Sequence, residues 1–129
     1  YKPSQIVVST GAKQSIANVV MSIVNPGDEV SIPAPYWVTY EEIVKMAEGI
    51  PVIIEASIEN DFKITPHQLE NAITDKTRMM IYSSPCNPTG SVYGEQELML
   101  LSEVISNYPN STHSVLAEKK IQGMKLEGR

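Results

Sequence analysis

Three short segments hold residue types able to bind and orient a ligand. Ser9-Thr10-Gly11-Ala12-Lys13-Gln14 reads as a turn from strand to helix. Glycine allows close approach of the backbone, and free N–H groups at a helix start attract anions. A phosphate placed there would receive bonds from the amides of Ala12 and Lys13. Pro35-Tyr36-Trp37 sets an aromatic ring at a strand end, where it could stack on a planar cofactor. In Ser83-Ser84-Pro85-Cys86-Asn87-Pro88-Thr89-Gly90, Asn87 stands between turn-forming prolines. An amide held there can donate to a phenolic oxygen or a carboxylate. Taken alone, the first two segments are better explained as an ordinary turn and a tryptophan packed on the core. A plain Asn-Pro turn explains the whole octapeptide less well, because it follows a buried strand.

These segments need elements to position them. Gln5-Ile6-Val7-Val8-Ser9 reads as a short buried strand. Ile16, Val19, Val20, Ile23 and Val24 then recur on one helical face, and Asn25-Pro26-Gly27-Asp28 stops that helix. Residues 29–33 and 51–55 are expected strands, with a helix over 38–48 between them and Gly49 as its stop. Thr65-Pro66-His67-Gln68 carries a helix-opening capping box, and Leu69, Ala72 and Ile73 supply that helix's apolar face. Residues 78–83 form a continuously apolar run, expected to be a strand buried on both faces. A last helix is expected over 95–106, with Leu98, Leu101 and Ile105 inward. Strand and helix alternate, so the fold class is α/β: a three-layer sandwich around a mainly parallel sheet. Ligands in such sheets sit at the carboxyl ends of strands, and the Gly11, Trp37 and Asn87 loops all lie on that side.

Composition narrows the function classes. The 129 residues are 42% apolar and 19% charged, a globular balance. The net charge of −5, without a basic block, argues against nucleic-acid binding. No apolar run reaches the ~18 residues of a membrane span. One cysteine, Cys86, and two histidines leave neither a disulfide framework nor a zinc set, and a reducing, cytoplasmic setting is expected. Cys86 itself reads as a small half-buried residue, and His67 as a surface residue in a first helical turn.

Four runs occur in order: Gly11-Ala12-Lys13-Gln14; Asn25-Pro26-Gly27-Asp28-Glu29-Val30; Pro35-Tyr36-Trp37-Val38-Thr39-Tyr40; and Ser84-Pro85-Cys86-Asn87-Pro88-Thr89-Gly90. In order and spacing they resemble the class I pyridoxal-phosphate-dependent aminotransferases, the bacterial aspartate branch above all. The resemblance runs from about Tyr1 to Pro109. It implies transfer of an amino group between an aspartate-like amino acid and a 2-oxo acid, with pyridoxal 5'-phosphate as electron sink. It implies that Gly11, Ala12 and Lys13 form part of the phosphate cup, chiefly through backbone amides. Trp37 would pack over the pyridine ring and help place the substrate carboxylate. Asn87 would bond the ring oxygen and contact the substrate carboxylate. Full-length relatives are expected to be homodimers.

The resemblance also calls for three groups that do not stand at matching positions. These are an aspartate in an Asp-Glu-x-Tyr segment, a later Schiff-base lysine and a carboxylate-binding arginine. Asn110-Ser111-Thr112-His113 and the following residues replace the first. Lys13 belongs to the phosphate turn, at the wrong end of the cofactor for a Schiff base. Residues 1–109 are therefore expected to be part of a cofactor-binding large domain, cut at both ends, and residues 110–129 a divergent tail. The isolated chain is expected to bind cofactor weakly and not to turn over. Two alternatives stay open: a lyase or regulator domain on the same cofactor-binding fold, and a non-catalytic truncated fragment. Unpaired strand edges also predict poor solubility or self-association.

Overall fold

The structure is a computed structural model that describes residues 1–108. The expected divergence of residues 110–129 lies outside the described residues. Four α-helices and three strands follow the order α1 (Ala12–Ile23), β1 (Glu29–Ala34), α2 (Thr39–Met46), β2 (Ile50–Glu55), α3 (Pro66–Ala72), β3 (Thr77–Met80) and α4 (Glu95–Ser106). Single 3-10 turns occur at Pro3–Gln5 and Ile58–Asn60.

All strand pairing is parallel, in the order β2-β1-β3, so β1 is central. β1 runs beside β2 from Glu29↔Ile50 to Ala34↔Glu55. Its register with β3 slips between Glu29↔Thr77 and Val30↔Met79, which leaves Arg78 out of the pairing. The freed side chain turns to Asp28, whose Oδ1 accepts from Arg78 Nε at 3.2 Å. Hydrogen bonds from Asn25 and Arg78 hold the Asp28 carboxyl below the ordinary carboxylate range.

The apolar residues form two clusters, and side-chain alternation along β1 gives Val30 and Ile32 to the first. Val30 and Ile32, both fully buried, pack with Val20 and Val24 at the end of α1 and with Tyr40, Ile43 and Val44 of α2. The second cluster joins Ile54 of β2 to Leu69 of α3 and Leu101 of α4, with Met80 of β3 against it. The expected sheet with helices in separate layers is thus present.

Local signals explain the helix ends. Thr65 caps α3: its Oγ1 accepts from Gln68 N at 3.2 Å, while Gln68 Oε1 accepts from Thr65 N at 2.9 Å. Glu97 serves α4 likewise, its Oε2 accepting from Gly94 N at 2.7 Å. α2 ends differently from expectation. Glu48, not Gly49, adopts the left-handed conformation, with φ 58°. Gly49 is needed for closeness, since a Cβ there would lie 2.6 Å from Val24 Cγ1 and 3.1 Å from Val44 Cγ1.

Two strand expectations need correction. Residues 5–9 form no strand: Pro3–Gln5 is a 3-10 turn, and Ile6, Val7 and Val8 are 60%, 84% and 91% exposed. A strand needs a ladder partner, and none of the described strands pairs with this segment. The strand expected over 78–83 is shorter, Thr77–Met80, and half-buried instead of buried on both faces. Among the described residues β3 has β1 on one side and no strand on the other. Ile81 continues the contact by donating its N–H to Ser31 O at 2.9 Å. Among the described residues, no helix is long and apolar enough to cross a membrane, and no His, Cys, Asp and Glu group could hold a metal ion.

Candidate active site

The site grows from the carboxyl ends of β1 and β3 and from the amino end of α1. At α1, Gly11 takes φ +88°, a conformation that L side chains rarely adopt, and open space surrounds the place of its missing Cβ. Gln14 Oε1 reaches back to accept from Thr10 N at 2.6 Å. No side chain caps the helix start at Gly11, unlike the capped start of α3. Gly11, Ala12 and Lys13 are exposed. The first-turn amides of a helix have no intrahelical acceptor, so an anion could be met there by Ala12 and Lys13 N–H groups.

β1 delivers Trp37 three residues past Ala34. Its ring is half-buried and packs on the α1–β1–α2 cluster. It meets the Tyr40 ring edge-on, with centroids 5.8 Å apart. The ammonium of Lys13 sits over its ring, 4.8 Å from the centroid. The core packing expected of Trp37 is therefore present, and its ring also carries a cation from the α1 turn. Tyr36, beside it, donates its hydroxyl to Glu41 Oε2 at 2.6 Å. That bond, more than partial burial, pushes the Tyr36 phenol up to about 12. Lys45, followed by Tyr36, pulls the Glu41 carboxyl below its ordinary value.

β3 delivers the third segment. The turn closes on itself: Cys86 N donates to Ser91 O at 2.8 Å and Gly90 N to Cys86 O at 2.7 Å. Tyr93 N donates to Ser84 Oγ at 3.0 Å. Asn87 is exposed, and its backbone N–H donates to Ser83 Oγ at 3.2 Å. Its side-chain amide makes no hydrogen bond among the described residues. Cys86 Sγ donates to Pro35 O at 3.4 Å, which joins this loop to the Trp37 loop.

Lys13 and Trp37 thus lie together, and the Asn87 loop is tethered beside them through Cys86. Sequence reasoning overlooked two residues, Tyr36 with its partner Glu41, and the joining role of Cys86. The Tyr36–Glu41 bond depends on how the loop folds onto α2, and a five-residue spacing has no signature of its own. The Cys86 contact crosses 51 positions and leaves no local signal.

The described residues thus combine an α/β sheet with an open helix start, an aromatic platform and an amide-bearing loop. The family model for aminotransferase class I and II matches residues 1–112, and the chain belongs to that family. It is 54% identical over 110 residues to an aspartate/prephenate aminotransferase of Nitrosomonas europaea, covering 85% of this chain and 28% of that protein. It is 55% identical over 104 residues to an aspartate aminotransferase of Bacillus subtilis, covering 81% and 26%. Among solved structures, the Rhizobium meliloti aspartate aminotransferase superposes with a TM-score of 0.82 at 42% identity, covering 86% of this chain and 28% of that one. The chain thus spans little more than a quarter of the length of these relatives.

Proposed function

We propose that residues 1–109 form part of the cofactor-holding large domain of a pyridoxal-phosphate-dependent aminotransferase acting on an aspartate-like amino acid and a 2-oxo acid. The observation that carries this reading is the Lys13 ammonium 4.8 Å from the Trp37 ring centroid. It brings an uncapped, exposed helix start and an aromatic platform into one place, matching the two ends of a flat phosphorylated pyridine.

The residues present suit that group. Gly11 leaves room, and the amides of Ala12 and Lys13 bind the phosphate at the positive end of α1. Trp37 would take the pyridine over its face once the Lys13 ammonium, 4.8 Å from the ring centroid, swings toward the phosphate. Asn87 donates from its free amide to the ring oxygen and, in turn, to a substrate carboxylate. Bound there, pyridoxal phosphate supplies the electron sink for amino transfer. This chain's own residues bind and orient; the proton-moving lysine that the resemblance calls for has no counterpart among residues 1–108. A homodimer for the whole protein and a cytoplasmic setting belong to the same proposal.

Trp37 is the only tryptophan, so its emission reports on its own ring. Pyridoxamine phosphate, the amine form of the cofactor, avoids condensation with surface lysines. Titrated into the full chain, it is expected to quench Trp37 saturably, and inorganic phosphate is expected to reverse the quenching. Asn87→Ala is expected to weaken the affinity about tenfold, the loss of one good hydrogen bond. Non-saturating quenching indifferent to phosphate would sink the proposal.

A further inference from the structure

We infer that Glu41 is a positioning residue: through Tyr36 it fixes the loop that presents the Trp37 ring to a planar ligand. The ligand part of this inference rests on the cofactor reading above; the ring-placement part does not.

The Trp37 loop is held by packing of the Tyr36 and Trp37 rings on the core, contacts that carry little direction, and by few hydrogen bonds. α2 starts at Thr39 without a side-chain cap, and Val38 before it is exposed. Tyr40 N donates to Trp37 O at 2.9 Å, which holds the backbone but leaves the approach through Tyr36 undetermined. The Tyr36 ring packs on the core cluster, and the directed contact on that approach is Tyr36 Oη donating to Glu41 Oε2 at 2.6 Å. Glu41 is itself held on its other oxygen, where Lys45 Nζ lies 2.8 Å from Oε1. The two carboxylate oxygens therefore point to fixed partners, one on the loop and one a helical turn ahead. Cys86 Sγ on Pro35 O completes the grip from the opposite loop.

An exposed i,i+4 Glu–Lys pair adds little stability by itself. A phenol donating to a carboxylate is a charge-assisted bond with strict direction. Its value here is geometric, because Tyr36 is the immediate neighbour of the ring that must lie flat. The raised phenol pKa agrees with this, since the Glu41 hydrogen bond is its first cause.

The test compares the full chain with Glu41→Leu, Glu41→Gln, Tyr36→Phe and the Tyr36→Phe/Glu41→Leu double variant. Three quantities are read: acrylamide quenching of Trp37 without ligand, pyridoxamine phosphate affinity, and the unfolding midpoint. Glu41→Leu and Tyr36→Phe are expected to change acrylamide quenching and to weaken affinity about five- to tenfold. Glu41→Gln keeps an acceptor and is expected to stay close to the unaltered chain. The double variant is expected to be no weaker than either single one, because both remove the same bond. Unchanged quenching in both Glu41→Leu and Tyr36→Phe overturns the inference, as does a double variant that multiplies the single losses. Should Glu41→Leu fail to fold, Tyr36→Phe, which keeps the ring, decides alone. If the unaltered chain ignores pyridoxamine phosphate, the cofactor reading fails, while ligand-free quenching still decides whether Glu41 places the ring.

Discussion

Residues 5–9 and the strand Glu29–Ala34 are built from similar material, and they end in opposite states. Ile6, Val7 and Val8 lie in solvent, while Val30 and Ile32 are fully buried. The richer apolar run is the one that forms no strand. β1 has a parallel neighbour on each side, and residues of α1 and α2 cover Val30 and Ile32. The 5–9 segment has none of these among the described residues. Ladder partners and covering helices therefore decide the outcome here, more than β-propensity does. β1 even tolerates Pro33, which has no N–H to give. The last β3 pairing is at Ser31, so on that side Pro33 already behaves as an edge residue.

Substitutions can break this comparison. Ile32→Ala is expected to destabilise the chain by about 2–5 kcal/mol, the range for a deleted core side chain that leaves a cavity. Val8→Ala is expected to change stability by less than about 0.5 kcal/mol, as exposed sites do. Denaturant unfolding of both variants measures the contrast. A Val8→Ala loss rivalling that of Ile32→Ala would mean that the 5–9 segment is paired in solution.

The seal over β1 gives the next largest effect. Gly49 lets β2 begin directly under Val24 and Val44, the residues that cover β1 from α1 and α2. Gly49→Ala is expected to cost about 1–3 kcal/mol through overpacking. The Val24 Cγ1 contact at 2.6 Å cannot be relieved without moving the core. A neutral Gly49→Ala in thermal unfolding would show this layer to be looser than the β1 packing implies.

Much of this was legible in the residues, and what was not has a common cause. The α4 limits at 95 and 106 and the Thr65–Gln68 capping box were readable because both depend on contacts within one turn. The helix stop after α2 was read from glycine chemistry, but its left-handed residue is Glu48, and Gly49 answers to a packing distance instead. The Arg78 slip was hidden because it depends on β1 register and on Asp28. Gly11, Lys13 and Trp37 stood out by type and order. The meeting of Lys13 and Trp37 at 4.8 Å did not, since it comes from how α1 packs beside α2. Asn87 was readable from its flanking prolines, while its tether through Cys86 was not. Local signals name candidate residues, and only long-range packing says which of them meet.

Among the buried positions Ser31 supplies the smallest expected effect, and the one expected to be stabilising. It is fully buried in the central strand, and its Oγ has no hydrogen-bond partner among the described residues. A buried hydroxyl without a partner loses its water contacts and gains nothing in return. If ladder pairing and helix cover hold β1, Ser31→Ala should leave the strand intact and raise stability by about 1 kcal/mol, because it removes an uncompensated polar group and only one heavy atom. Chemical denaturation of the two chains side by side measures this. A loss of stability would mean that the hydroxyl is bonded in solution, and β1 would then owe part of its burial to a polar contact that residues 5–9 also lack.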